Sequence, residues 1–193
     1  MDLWIATTNQ GKLNEFRNIL QSTGATIHSV SEIKNYSSPP ENGATFIENA
    51  RIKARSLKAM RPGEWVIADD SGLEAEGLNN LPGIHSARYA GPKARDGENV
   101  AKLLKMLSLR TTNRKARFVC AMVVFDPQGV EHVFEGTVEG TISDKVRGTT
   151  GFGYDPVFIP NGETQTFAEL GAAVKNKLSH RANAIRKLTE ILK

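Results

Sequence analysis

A chain of 193 residues, of which 39% are hydrophobic, can bury one substantial core, and the absence of long polar or repetitive tracts excludes a largely disordered protein. The sequence has no apolar run near the roughly 20 residues that cross a bilayer and no secretory leader pattern, so we expect a soluble protein. The single cysteine, Cys120, excludes an intrachain disulfide and a thiolate metal cluster, which fits a reducing cytoplasm. The net charge of +4 is spread along the chain. We expect one cytoplasmic domain over residues 1–193.

The chain opens with a predicted strand, a turn and a helix. Residues 3–6 are a short apolar run, and residues 7–11 are turn formers. Leu13, Phe16 and Leu20 then recur at helical spacing, which predicts one buried helix face.

A second strand and a second helix follow. Residues 26–30 predict the strand, and residues 37–43 are a loop by composition. Thr45 and Glu48 have the spacing of a capping box, so we expect a helix that runs to the break at residues 62–63.

The third predicted strand leads into acidic residues. Residues 65–68 are apolar, and residues 69–72 read Asp-Asp-Ser-Gly. The pattern predicts two carboxylates and a hydroxyl at the carboxyl end of a strand, just before a turn, which is where open α/β sheets bind ligands.

The second half is organised differently. Asp96 is a candidate cap for a third long helix, and residues 117–125 and 130–138 predict an antiparallel hairpin. Residues 148–155 form a glycine-rich loop, and a last helix is predicted to begin at Ser179. Strands alternating with helices and then a hairpin favour an α/β fold with a mixed central sheet flanked by helices.

The first candidate site is the turn before the first helix. A helix N-terminus offers free backbone N–H groups to an anion, and Lys12 adds a cation, so a triphosphate could bind there. The pattern is not a P-loop, because Leu13 stands where a Ser or Thr would hold Mg²⁺. Taken alone, it fits an ordinary strand-to-helix turn that carries an exposed lysine better than a phosphate site.

The second candidate site is the acidic pair Asp69 and Asp70 with Glu41 and Glu48. Triphosphate hydrolysis needs Mg²⁺ to neutralise phosphate oxygens and a carboxylate to position or deprotonate water. Neighbouring carboxylates repel each other unless a cation or a lysine such as Lys53 compensates. The alternatives are a hydrogen-bonded turn residue for Asp69 and a capping-box role for Glu48.

A serine hydrolase is the weaker interpretation of the same segment. Ser71 with a neighbouring aspartate and His85 supplies the residue types, but the glycine-x-serine-x-glycine elbow is absent. We therefore discard this interpretation.

The third candidate site is the glycine-rich loop. Its glycines let the backbone approach a flat ligand, Phe152 offers a stacking face and Asp155 an acceptor, so the loop suits a nucleobase. The alternative is a glycine turn whose aromatic side chains pack in the core.

The fourth candidate site is basic. Lys175, His180 and Arg181 surround a predicted helix start and could contact a purine carbonyl or a phosphate. The alternative is that Ser179 caps a solvated basic helix.

Together these segments closely resemble the inosine triphosphate pyrophosphatase family over nearly the whole chain. The matching segments are TTNQGK at 7–12, TFIENA at 45–50 with Lys53-Ala54, ADDSGL at 68–73, PGIHSARY at 82–89, GFGYDP at 151–156 and SHR at 179–181. Their order along the chain makes the resemblance specific. It implies hydrolysis of deaminated purine nucleoside triphosphates (ITP, dITP and XTP) to the monophosphate and pyrophosphate, which removes them before they enter DNA or RNA.

The resemblance also implies roles for individual residues. Asp70 is the implied catalytic base, and Glu41 and Asp70 are the implied ligands of Mg²⁺. The implied substrate-binding residues are Thr7, Thr8, Asn9, Gln10, Gly11, Lys12, Ser71, Phe152, Gly153, Tyr154, Asp155, Lys175, His180 and Arg181. An elongated fold of two lobes with the active-site cleft between them and a homodimer are further implications.

Two positions depart from the family pattern. Thr8 stands where relatives commonly have glycine, so its side chain narrows the phosphate loop or adds a hydroxyl donor. Pro40 stands before Glu41 where a second acid is common, which makes Glu41 a less secure metal ligand than Asp70.

Two rival functions remain open on the sequence. The basic balance and the aromatic residues among glycines also suit a non-catalytic nucleotide- or RNA-binding module, although the basic residues form no single stripe and Asp69-Asp70 would repel a phosphate backbone. The other rival is a pyrophosphatase for different modified nucleotides. We expect a nucleotide as the ligand, with no stable nucleic-acid partner and no membrane association.

Overall fold

The computed structural model describes residues 1–192 and has a mixed α/β architecture, as the sequence predicts. The strands are β1 (Asp2–Ile5), β2 (Thr26–Ser29), β3 (Trp65–Ala75), β4 (Leu81–Pro82), β5 (Lys115–Phe125), β6 (Glu131–Ile142) and β7 (Phe158–Pro160). The helices are α1 (Gln10–Leu20), α2 (Phe46–Met60), α3 (Asp96–Arg110), α4 (Phe167–Leu170), α5 (Ala172–Leu178) and α6 (His180–Thr189). Short 3₁₀ turns lie between several of them.

One sheet joins the strands in the order β2-β1-β3-β5-β6-β7, with β4 paired to β3. β1 runs parallel to both β2 and β3, whereas β4 and β7 are antiparallel to β3 and β6. The predicted hairpin is present: β5 and β6 are neighbours joined by a turn in which Asp126 and Val130 exchange hydrogen bonds. A connection this short forces an antiparallel pair.

The chain divides into two compact units. The first contains residues 1–70, 120–136 and those from 181 on, and the second contains residues 71–119 and 137–180. In the first unit β1 is buried on both faces: Leu3 and Ile5 pack with the apolar faces of α1 and α6, and Trp4 packs with α2. Successive side chains of a strand point to opposite faces of the sheet, so consecutive buried residues require cover on both faces, which these helices supply.

The second unit has its own core. It is built on α3, the first residues of β5 and three aromatic rings in mutual contact, Phe118, Phe158 and Phe167. Each unit therefore buries an apolar cluster of its own. No helix in the part of the chain that the structure describes is long and apolar enough to span a membrane.

The expectation that the strand ends at residues 69–72, just before a turn, is wrong. The segment Asp-Asp-Ser-Gly lies inside β3, which continues to Ala75. However, the parallel pairing with β1 ends where Ile5 lies opposite Ile67. The two aspartates therefore still follow the carboxyl end of the parallel part of the sheet, and antiparallel pairing with β4 at residues 74–75 keeps the later part of β3 extended.

Two predicted helix caps also differ in the structure. Asp96 is the first residue of α3 and not its cap, because Arg95 takes that position and the Asp96 carboxylate accepts a hydrogen bond from the N–H of Gly153. At α2, the Thr45 hydroxyl caps the helix by accepting from the N–H of Glu48. The Glu48 carboxylate accepts from the N–H of Ala44, whereas in a capping box it would accept from the N–H of Thr45 itself.

His28, at the edge of the sheet, makes a contribution to stability that depends on pH. His28 on β2 contacts the carboxylates of Glu32 and Asp2 at 2.9 and 2.8 Å, and its ring stacks on Trp4. The hydrogen bonds that the His28 ring makes to the carboxylates of Glu32 and Asp2 raise the pKa of His28 above its ordinary value. This contribution to stability is complete below about pH 6.5, the unfolded-state pKa, and is lost as pH rises through the raised folded-state pKa.

We expect the double variant Asp2→Asn/Glu32→Gln to lose this pH dependence, because the amides retain hydrogen-bonding oxygens but carry no charge to favour the imidazolium. Urea unfolding of both proteins at several pH values between 5.5 and 9 measures the difference. The same slope in the variant and in the parent chain would show that His28 is not its source.

Candidate active site

The segment between β1 and α1 forms the predicted anion-binding turn. Asn9 caps α1, its side chain accepting from the N–H of Lys12 at 3.0 Å, and the Thr7 hydroxyl accepts from the N–H of Asn9 at 3.1 Å. Thr8 and Gln10 are exposed. The turn therefore presents hydroxyls and the positive end of an eleven-residue helix to a ligand, as phosphate-binding helix N-termini do.

Asp69 is the centre of a buried ion cluster in the same unit. Its Oδ2 lies 3.0 Å from Lys12 Nζ and 2.9 Å from an Arg181 nitrogen, and a second guanidinium nitrogen of Arg181 contacts Glu15. Asp69 and Arg181 are each 1% exposed. Burial opposes ionisation of Asp69, but Lys12, Arg181 and Lys53 outweigh it and hold the pKa of Asp69 far below its usual range. Asp69 thus holds Lys12 and Arg181 in place as a permanent anion.

Asp70 has a different environment from its neighbour. Burial raises the pKa of Asp70, and the negative charges of Glu41 and Asp69 act in the same direction against the lowering effect of Lys53 and Lys12. Two adjacent carboxylates with opposite shifts are suited to different tasks. Asp69 remains charged and structural, whereas Asp70 has the higher proton affinity that a general base requires.

The Lys53 ammonium contacts three of the acidic residues. Its ammonium donates to the backbone oxygen of Asp69 at 2.7 Å and lies 3.1 Å from Glu41 Oε2 and 4.0 Å from Asp70 Oδ1. Burial opposes its charge, but Asp69, Asp70 and Glu41 raise the pKa of Lys53, so it stays an ammonium ion. The sequence suggests Lys53 as a compensating charge, and in the structure its ammonium lies between the two candidate metal ligands, Glu41 and Asp70.

The carboxylates near Asp70 determine which kind of metal site this region could form. Among residues 1–192 there is no group of three or more His, Cys, Asp or Glu side chains that could hold a metal. Glu41 and Asp70 converge on one ammonium, whereas Glu48 is occupied as a helix cap, which favours Glu41 over Glu48 as the second ligand. Mg²⁺ commonly binds through one or two carboxylates together with water and substrate phosphates. The residues therefore fit Mg²⁺ that binds with a polyphosphate.

The glycine-rich loop lies in the second unit. Asp155 Oδ2 accepts from the backbone N–H of Phe152 at 3.0 Å and pairs with Lys175 Nζ at 2.6 Å. The Lys175 ammonium also lies 4.2 Å from the centroid of the Phe152 ring. A Cβ on Gly151 would lie 2.2 Å from Asp155 Oδ2, and its φ of +78° is left-handed, so only glycine fits there.

The remaining residues of the loop and the basic segment have mixed environments. Tyr154 is 5% exposed and its hydroxyl donates to the backbone oxygen of Ser86, so its ring belongs to the core. His180 is 4% exposed, and its ring stacks on that of Phe118 with 4.8 Å between the ring centroids. Ser71 is half-buried within β3. Of the aromatic residues in the loop, Phe152 is the one that is only partly buried.

The structure distributes the predicted residues between the units. The first unit brings together Lys12, Glu41, Asp70 and Arg181, and the second brings together Phe152, Asp155 and Lys175. Glu15, which contacts Arg181, is a site residue that was not predicted from the sequence. No local pattern identifies it, because the two residues are 166 positions apart.

Comparison with known proteins identifies the family. The model of the Ham1 family matches residues 3–191. A dITP/XTP pyrophosphatase of Bdellovibrio bacteriovorus is 55% identical, with 100% of this chain and 98% of the relative aligned.

Two solved structures are similar over the whole chain. They are the Ham1 protein of Staphylococcus aureus (TM-score 0.86, 43% identity) and a HAM1 protein from Coxiella burnetii (TM-score 0.88, 36% identity). In both cases 100% of this chain and 98% of the other are covered. The chain therefore belongs to the Ham1 family, which confirms the resemblance drawn from its motifs.

Proposed function

We propose that the protein hydrolyses deaminated purine nucleoside triphosphates (ITP, dITP and XTP) to the monophosphate and pyrophosphate. The observation that carries this proposal is the cluster in which Lys12, Lys53, Glu41 and Asp70 are held around the buried Asp69. The activity named for the Bdellovibrio bacteriovorus relative, dITP/XTP pyrophosphatase, supports the substrate class.

The triphosphate is bound by the turn that precedes α1. The backbone N–H groups and hydroxyls of residues 7–11 bind phosphate oxygens, and Lys12 contributes charge at the start of the helix. A helix N-terminus alone contributes only about 0.3–1 kcal/mol for an exposed anion, so the lysine and hydroxyls supply most of the binding. The contact with Asp69 restrains the Lys12 side chain before substrate arrives.

Cleavage occurs between the α- and β-phosphates. Asp70 orients a water molecule for attack on the α-phosphorus and accepts its proton, a P–O bond forms to the water oxygen, and pyrophosphate leaves with the electrons of the broken bond. Lys12 and Lys53 stabilise the negative charge that develops on the phosphate oxygens. Glu41 and Asp70 would hold Mg²⁺, which supplies charge neutralisation and Lewis acidity when bound.

The glycine-rich loop recognises the purine base of the substrate. Phe152 offers a ring face for stacking, Asp155 an acceptor and Lys175 a donor for a purine carbonyl oxygen. Lys175 is the better placed donor, because its ammonium lies beside the Phe152 ring, whereas the Arg181 guanidinium contacts Asp69 and Glu15. In this proposal residues 1–193 act as one catalytic domain in a cytoplasmic homodimer.

A substrate panel with a pyrophosphate-coupled readout tests the function. A site built to hydrogen-bond one group rejects an analogue that lacks it by a factor of roughly 10⁴–10⁵. We therefore expect kcat/KM for ITP, dITP and XTP to exceed that for ATP by about this factor, because a 6-amino group cannot accept from Lys175.

Phosphorus NMR of the first turnover checks the cleavage position, and pyrophosphate is the expected product. Comparable kcat/KM values for ITP and ATP would contradict the base selectivity. Orthophosphate as the direct product would contradict attack at the α-phosphorus. Metal-independent, salt-sensitive binding of oligonucleotides without hydrolysis would favour the nucleic-acid-binding alternative.

A further inference from the structure

The loop that carries Glu41 is attached to the first turns of α2 by two hydrogen bonds. The buried Asn49 accepts the backbone N–H of Gly43 at 2.8 Å through its side-chain oxygen, and Glu48 accepts the N–H of Ala44 at 2.6 Å. We propose that Asn49 is a positioning residue that places Glu41 for metal binding by holding Gly43. This inference rests on the proposed function, because it assumes that Glu41 is a metal ligand.

Gly43 permits this attachment by allowing a close approach. A Cβ at residue 43 would lie 2.7 Å from the Cβ of Glu48 and 2.8 Å from Oδ1 of Asn49. The φ of Gly43 is not in the left-handed region, so the backbone conformation does not itself demand glycine. Any side chain at this position therefore pushes the loop away from α2 without straining its backbone.

The same helix face holds the carboxylate that the loop carries. Asn49 and Lys53 are four residues apart on α2, which places them on one face, and both are buried. Asn49 fixes the loop backbone two residues after Glu41, and Lys53 contacts the Glu41 carboxylate at 3.1 Å. Because the Glu41 side chain is 35% exposed, its position depends on these two contacts more than on packing.

The orientation of the Asn49 amide follows from the bond to Gly43. An N–H donor must face the amide oxygen, so the Nδ2 group points the other way. Asn49 is 0% exposed. The Nδ2 group is buried without a hydrogen-bond partner, so the bond to Gly43 is the one that the side-chain amide makes among the described residues. Burying an amide in this way is unfavourable, so packing alone does not account for a polar residue here. The attachment of the loop through the amide oxygen does account for it.

Metal binding without turnover tests this role. The probe is Mn²⁺, titrated by electron paramagnetic resonance into protein that carries the α,β-methylene analogue of dITP, which cannot be cleaved at the scissile position. We expect Gly43→Ala and Asn49→Ala to weaken Mn²⁺ binding by about 10–100-fold, the usual effect of removing a group that orients a metal ligand. Gly97→Ala is the matched control, because an added Cβ there has no atom within 4 Å and the φ is not left-handed.

A double variant distinguishes positioning from a general structural effect. If Asn49 and Gly43 act through Glu41, then adding Gly43→Ala to Glu41→Gln weakens Mn²⁺ binding no further than Glu41→Gln alone. A purely structural effect would add to the loss. Gly43→Ala leaves Asn49 in place, so the test stands even if Asn49→Ala does not fold.

The outcomes separate this inference from the proposed function. Wild-type Mn²⁺ affinity in Gly43→Ala, with weakened binding in Glu41→Gln, overturns the role of Asn49 and leaves the function intact. Wild-type affinity in Glu41→Gln removes Glu41 from the metal site and the inference with it. Release of pyrophosphate from dITP by the unmodified protein is measured separately and tests the function itself.

Discussion

The variant Asp70→Asn keeps its fold and much of its nucleotide affinity but loses turnover, with kcat lower by about 10²–10⁴-fold, the usual contribution of a general base. The amide has the shape of the carboxylate but cannot accept the proton of water. The raised pKa of Asp70, caused first by burial, marks it as the better proton acceptor of the acidic pair. Steady-state hydrolysis of dITP measures the loss, and calorimetric binding of its α,β-methylene analogue measures the affinity.

Asp144→Asn is the control for this prediction, because Asp144 is exposed and belongs to the second unit. The control should hydrolyse dITP at the unmodified rate. If Asp70→Asn also retains that rate, Asp70 has no part in the chemistry. If it loses both turnover and its circular dichroism signal, Asp70 is required for the fold instead.

The variant Asp69→Asn is strongly destabilised, by about 3–5 kcal/mol, because removing one partner of a buried ion cluster leaves the others uncompensated. Lys12 loses its contact with the Asp69 carboxylate, and Arg181 loses the same carboxylate while its contact with Glu15 remains. Urea unfolding at neutral pH measures the change. The exposed control Asp144→Asn should change the free energy of unfolding by no more than about 0.5 kcal/mol.

The pH dependence of unfolding gives this prediction a second measurement. Lys12, Arg181 and Lys53 overcome burial and lower the pKa of Asp69 in the folded protein. The stabilisation is therefore complete above the unfolded-state pKa of about 3.9 and is lost as pH falls below it towards the folded-state pKa. Asp69→Asn should lose less stability than the parent chain between about pH 5 and pH 2. Parallel acid-unfolding curves for the two proteins would contradict the cluster's role.

The order of elements was accessible from the sequence because it depends on local patterns. The apolar spacing of α1 and the turn between β5 and β6 come from neighbouring residues, and the structure confirms both. The length of β3 was not accessible. Asp69 to Gly72 are turn-forming residue types, but β3 continues through them and pairs with β5 and β4, and these pairings are tertiary contacts.

The candidate site shows the same division. Motifs indicate Lys12 and Asp70 directly, since a lysine at a helix start and acids after a buried strand are local features. No motif assigns Asp69 its role, because its partners Lys12 and Arg181 are 57 and 112 residues away. The capping-box spacing does indicate a cap role for Glu48, but no motif shows that Glu41 meets Lys53.

The sequence by itself determined the family, the class of fold and the residue types that suit a metal-assisted attack on a triphosphate. The tertiary structure alone decided how the charges are divided: Asp69 as a permanent buried anion, Asp70 as the carboxylate with raised pKa, and Lys53 between Asp70 and Glu41. The physical reason is that proton affinity depends on burial and on charges within a few ångströms. Folding sets both, because it brings distant segments of the chain together.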